Sequence, residues 1–97
     1  MHRDGVVSVV VPVFNEEANI QPLYERMDQV ARRLAPLDLE LLCVDDGSTD
    51  DSVPRMSALA EKDPRVRVIK LARKFGHQLA ITAGLDHAQG DCVVVID

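Results

Sequence analysis

Long apolar stretches alternate with stretches whose apolar residues recur every three or four positions. Val6 to Val13 (VVSVVVPV) is almost unbroken and β-branched, which predicts a strand buried on both faces. Pro12 has no N–H to donate and is expected at the strand's exit. Asn15 follows as a predicted N-cap, with Glu16 and Glu17 in the first helical turn, where the helix dipole favours carboxylates. Ile20, Leu23, Tyr24, Met27, Val30, Ala31 and Leu34 then form one apolar stripe of an amphipathic helix that ends before Pro36. Leu39 to Val44 (LELLCV) predicts a second strand, and Gly47 allows a tight turn after it. Ser48 to Asp51 supply caps for a second helix carrying Val53, Met56, Leu59 and Ala60.

Val66 to Leu71 (VRVIKL) predicts a third strand. Arg67 and Lys70 point to its opposite faces, so it belongs near a sheet edge. Ala72 to Gln78 is a polar loop. Leu79, Ala80, Ala83, Gly84 and Ala88 make a small-residue helix face suited to close packing on a sheet, and Gly90 is the expected helix end. Cys92 to Ile96 (CVVVI) is the fourth strand. The order β-α-β-α-β-α-β predicts an α/β fold: a Rossmann-like three-layer α/β/α arrangement with a mainly parallel four-stranded sheet and helices on both faces. The chain stops at Asp97, directly after an apolar strand. Residues 1–97 are therefore expected to be the N-terminal part of a longer domain, incomplete at its C-terminus.

Composition narrows the function classes. The chain has 97 residues, enough for one domain and too few for two. Its apolar runs are too short to span a bilayer, and Met1 to Gly5 lacks a secretory leader pattern, so a cytoplasmic location is expected. Eleven basic and sixteen acidic residues leave a net charge of −5, which argues against nucleic acid as a partner. Aromatic residues are only 3%, too few for a base-stacking platform along single strands. Cys43 and Cys92 lack metal-site spacing and are expected to be buried, reduced thiols.

In an open α/β sheet, ligands bind beyond the carboxyl ends of the strands. Four polar clusters follow the four strands: Pro12-Val13-Phe14-Asn15-Glu16, Val44-Asp45-Asp46-Gly47-Ser48, Arg73-Lys74-Phe75-Gly76-His77, and Asp97. A parallel sheet brings all four to one edge. Neither G-x-G-x-x-G nor a P-loop is present. Carboxylates accept hydrogen bonds from a nucleobase N–H or ribose hydroxyls, and they hold divalent cations that neutralise a diphosphate. Arg73 and Lys74 suit phosphate oxygens or a base. Together these groups describe a site for a nucleoside diphosphate.

At these residues the chain resembles the family 2 glycosyltransferases of GT-A fold. Val9 to Glu17 (VVVPVFNEE), Val44 to Asp50 (VDDGSTD) and Gly90 to Asp97 (GDCVVVID) carry the match. Leu71 to Gln78 (LARKFGHQ) looks most like the bacterial polyprenyl-phosphate branch, related to dolichol-phosphate sugar transferases. The resemblance implies an inverting transfer of sugar from a nucleotide donor, with UDP-sugar preferred, to an acceptor such as polyprenyl phosphate. It implies that Pro12, Val13, Phe14 and Glu16 line the nucleotide pocket. One of Asp45 and Asp46, with Asp46 favoured, would reach the base, and Arg73 and Lys74 would border the base or diphosphate. Asp97 matches the first aspartate of the family's D-x-D, a ligand for Mg²⁺ or Mn²⁺; the second aspartate and the catalytic base fall beyond this chain. The whole enzyme is expected at the cytoplasmic face of the membrane.

Blander readings stand beside these. Asn15 and Glu16 then only cap and charge a helix start, Asp45-Asp46 is a turn with a cap, Arg73 and Lys74 a solvated loop, Phe75 a packing residue, and His77 a surface or capping residue. Rival functions are a phosphotransferase, a response-regulator receiver, or a non-catalytic interaction domain or relic. An open sheet edge also predicts self-association.

Overall fold

A computed structural model describes residues 3–96. Its order is β1 (Arg3–Val13), α1 (Glu17–Leu34), β2 (Asp38–Asp45), α2 (Ser52–Lys62), β3 (Val66–Lys70), α3 (His77–His87) and β4 (Gly90–Val95). All strands pair in parallel, in the spatial order β3-β2-β1-β4. β3 is an edge strand, as its two-faced charges predicted. β1 begins earlier than the apolar run suggests, and its register to β4 shifts between Arg3 and Val7, around Gly5 at φ 73°. Gly90 starts β4 instead of ending α3, because α3 already stops at His87.

Alternation along the strands sorts side chains into two cores. Val9, Val11, Val13, Leu41 and Cys43 pack under α1 and α2 with Ile20, Met27 and Met56. Val10, Leu42 and Val44 face α3 and meet Ala80. A Cβ on Gly84 would stand 2.3 Å from Val10 Cγ1, so α3 lies as close to the sheet as its small-residue face allows. Burial pushes the Cys43 thiol up to about 12, which makes it inert. Cys92 is exposed, contrary to expectation. It shares this exposure with Val93 to Val95 of β4 and with Ile96 just beyond it, each 38–44% exposed. Among the described residues, α1, α2 and α3 pack chiefly over β1, β2 and β3.

Two polar clusters hold the frame. Glu40 is buried in β2 between the apolar side chains of Leu39 and Leu41. It accepts hydrogen bonds from Ser8 Oγ, from the Gln89 N–H (2.7 Å) and from Arg67 (3.0 Å). Desolvation pushes its carboxyl upward, but these donors outweigh that and hold it below the ordinary value. The second cluster joins α1 to the α2–β3 turn. Asp63 accepts from Tyr24 Oη (2.8 Å) and pairs with Arg65 at 2.6 Å, and Arg65 also reaches Asp28 at 3.0 Å. The Arg65 guanidinium holds the Asp63 carboxyl well below the usual carboxylate range. A depressed carboxylate stabilises the fold above its unfolded pKa of about 4, and that stabilisation fades as pH falls toward the folded value. Asp63→Asn is therefore expected to lower stability at neutral pH and to flatten the fall in stability below about pH 4. Urea unfolding across that range checks it; an unchanged acid limb would contradict it.

Candidate functional site

The site forms at the carboxyl edge, where three loops lock together. Asn15 was expected to cap α1, but Glu16 holds the capping position and makes no side-chain cap. Asn15 instead adopts φ 51°, a left-handed conformation that asparagine tolerates. Its Oδ1 accepts from the N–H groups of Thr49 (2.8 Å) and Asp50 (3.3 Å), and its own N–H donates to Ser48 Oγ (2.9 Å). The N–H groups at the start of α1 are likewise satisfied from the β2–α2 loop and the first residue of α2: Glu16 N–H by Ser52 Oγ and Glu17 N–H by Asp50. The β1–α1 loop is thus cross-linked to residues 48–52.

The adjacent aspartates divide the work. Asp45 is fully buried, and its Oδ2 accepts from Gly47 and Ser48 N–H at 3.2 and 3.1 Å. Its Oδ1 is buried without a hydrogen-bond partner. Asp46 turns the other way. Its carboxylate accepts from Phe75 N–H (2.8 Å) and Gly76 N–H (3.1 Å), while its own N–H donates to the Val13 carbonyl. Gly76, at φ 104°, is the capping residue of α3, so Asp46 anchors the entry to that helix. Gly47, at φ 84°, lets the two loops touch: a Cβ there would stand 2.8 Å from the Lys74 backbone nitrogen.

Pro12, Val13, Phe14, Glu16, Asp46, Lys74 and His77 line one open cleft of about 200 Å³. A second hollow of about 210 Å³ adjoins it, shares Pro12, Val13 and Glu16, and reaches Ile96 at the end of β4. Lys74 crosses the first cleft: its Nζ lies 3.5 Å from the Phe14 ring centroid and 3.8 Å from Asp46 Oδ2. Glu16 Oε2 accepts from Asn19 Nδ2 at 2.6 Å.

Six of the nine residues singled out in the sequence therefore meet in one cleft. Asp45 does not line it; its carboxylate is spent on its own loop. Arg73 does not line it either; its guanidinium carbon sits 4.9 Å from the Phe75 ring centroid. Asp97 lies outside the described residues. Phe75, expected to pack, is 42% exposed. His77 is exposed as expected, yet it also lines the cleft, which its sequence context did not signal. The contacts that set Asn15, Ser48 and Ser52 also went unseen, because each pair is separated by more than thirty residues.

The strand order bears on the rivals. β1, β2 and β3 run outward in one direction and β4 lies on the other side of β1, so the order reverses beside β1, where open α/β sheets bind ligands. A receiver's 2-1-3 order would put β3 next to β1, whereas here β3 pairs with β2. A phosphoacceptor must also be accessible, and Asp45 is not.

No helix among the described residues is long and apolar enough to cross a membrane. Residues 8–97 match the family described as "Glycosyl transferase family 2". The chain is 47% identical over 97 residues to "Uncharacterized glycosyltransferase YkcC" of Bacillus subtilis (strain 168), covering all of this chain and 30% of that protein. It is 43% identical over 91 residues to the bactoprenol glucosyl transferase of Shigella phage SfV, covering 94% of this chain and 29% of that one. Among solved structures it resembles glucosyl-3-phosphoglycerate synthase from Mycobacterium tuberculosis, in complex with Mn²⁺, UDP and glucosyl-3-phosphoglycerate. The TM-score there is 0.72 at 31% identity, over 95% of this chain and 33% of that chain. The chain thus spans about 30% of the length of the curated relatives it matches. A parallel sheet with its order reversal beside β1, a carboxylate-and-lysine cleft at that edge, and a family match across nearly every residue lead to one conclusion: this chain belongs to glycosyltransferase family 2.

Proposed function

We propose that residues 1–97 are the nucleotide-sugar-binding part of an inverting glycosyltransferase, with a UDP-sugar as donor and a polyprenyl phosphate as acceptor. One observation carries this reading: Glu16, Asp46 and Lys74 converge with Pro12, Val13 and Phe14 on a single cleft at the carboxyl edge. Phe14 offers a ring face for a base. The carboxylates of Asp46 and Glu16 accept from base N–H and ribose hydroxyls, and Lys74 supplies a cation for the diphosphate. UDP in the mycobacterial neighbour supports the donor, and the bactoprenol transferase relative supports the acceptor. Such an acceptor sets the whole enzyme at the cytoplasmic face of a membrane.

Mg²⁺ or Mn²⁺ is the cofactor this family resemblance implies. Among the described residues, no three His, Cys, Asp or Glu side chains cluster closely enough to hold such an ion. Asp46 is already engaged by two backbone amides and Lys74. The described residues therefore do not fit the ion by themselves; Asp97 is the ligand proposed to complete them.

The purified chain is expected to bind UDP weakly, with Kd on the order of 1 mM, and to transfer no sugar. NMR titration with UDP, GDP and acetyl phosphate, with and without Mn²⁺, tests the reading. Shifts at Phe14, Asp46 and Lys74 with UDP support it. A response to acetyl phosphate alone overturns it, whereas sugar transfer by this chain overturns only the expectation that it has no turnover by itself. Self-association through β4 belongs to the same proposal, since a free strand edge bearing exposed Val and Ile invites pairing. Sedimentation is expected to show concentration-dependent dimers that Val94→Lys suppresses; a clean monomer at high concentration contradicts it.

A further inference from the structure

The Lys74 side chain occupies the ground that a nucleotide's base would need. Its ammonium lies over the Phe14 ring at 3.5 Å and faces Asp46 Oδ2 at 3.8 Å, so it covers an aromatic face and a carboxylate together. Those are the two groups the proposed function assigns to the base. A cation on an aromatic face and a base stacked on that face exclude one another.

We infer that Lys74 is a displaceable plug: in the nucleotide-free chain it holds the base's seat, and on binding it gives up that seat for the diphosphate. This inference rests on the nucleotide reading of the cleft. Three observations support it. Lys74 is the one lysine or arginine among the residues lining the cleft, so it alone there can answer phosphate charge by ion pairing. Its backbone is held against Gly47 while its side chain is 57% exposed, so the ammonium can swing without the loop moving. Its contacts with Phe14 and Asp46 are a surface cation–π pair and a long ion pair, both weak enough to be exchanged for a charged hydrogen bond.

Such a plug makes the site discriminate by phosphate. A nucleoside must displace Lys74 and offers it nothing in return. A nucleoside diphosphate displaces the same group and re-engages it. Removing the side chain should therefore move the two ligands in opposite directions. NMR titrations of the chain and its Lys74→Ala variant with uridine and with UDP read this directly. Overlaid spectra away from the cleft establish that the variant is folded. Uridine affinity is expected to rise about two- to fivefold, and UDP affinity to fall about tenfold. Lys74→Arg should restore the preference for UDP. If Lys74→Ala leaves uridine affinity unchanged or lowers it while the parent chain binds UDP, the plug is wrong and the nucleotide site stands. If the parent chain binds neither ligand, both fail.

Discussion

Gly84→Ala is expected to destabilise the chain by about 2 kcal/mol, although alanine is the better helix former by up to about 1 kcal/mol. The added methyl would stand 2.3 Å from Val10 Cγ1, 3.2 Å from Val44 Cγ2 and 3.3 Å from Val10 Cγ2. Val10 and Val44 are both fully buried on adjacent central strands, so neither side chain can move away without disturbing the sheet. α3 must then lift, and its first residue, His77, lines the cleft. Urea unfolding of the variant should show a lower midpoint with an unchanged slope. Val10→Ala in the same chain should recover part of the loss, because the clash and the added space coincide and the two changes are not additive. Equal midpoints for Gly84→Ala and the parent chain would mean that α3 does not lie this close to the sheet.

Asp46→Ala is expected to have the largest effect on ligand binding. The carboxylate holds the N–H groups of Phe75 and Gly76 and faces Lys74, so one truncation frees the whole 73–76 loop. Leaving these part-buried donors without the carboxylate costs about 1 kcal/mol of stability. Loss of the acceptor proposed for the base should cost at least about tenfold in UDP affinity beyond that. Asp46→Asn keeps one oxygen for the loop amides, so it should restore most of the stability but little of the binding. UDP titrations and thermal unfolding of both variants separate the two contributions. Asp46→Ala binding UDP as the parent chain does would remove Asp46 from the site.

The fold was largely legible because its signal is local. Val6–Val13, Leu39–Val44, Val66–Leu71 and Cys92–Ile96 read as strands by β-branched runs, and the stripe from Ile20 to Leu34 reads as α1 by its period. The errors sit where a residue's role depends on a distant partner. Asn15 looks like a cap because caps are common before acidic first turns; its true partners, Ser48, Thr49 and Asp50, lie on another loop. Asp45 and Asp46 look alike in sequence, yet Asp45, the last residue of β2, folds back on the N–H groups of Gly47 and Ser48, while Asp46, just past the strand, turns to the 73–76 loop and lines the cleft. Cys92 resembles Cys43 in its apolar context, but Cys43 lies on a central strand and Cys92 on an exposed edge strand.

Sequence alone determined the element order, the parallel sheet, the edge where the candidate site gathers, and the family resemblance, because period and composition act over a few neighbouring residues. Tertiary structure decided which of the polar residues face one another. It moved Asp45 and Arg73 out of the cleft, brought His77 into it, and laid Lys74 across Phe14 and Asp46. The reason is physical: those assignments depend on how loops about thirty residues apart satisfy each other's backbone donors and charges, and no local pattern encodes that pairing.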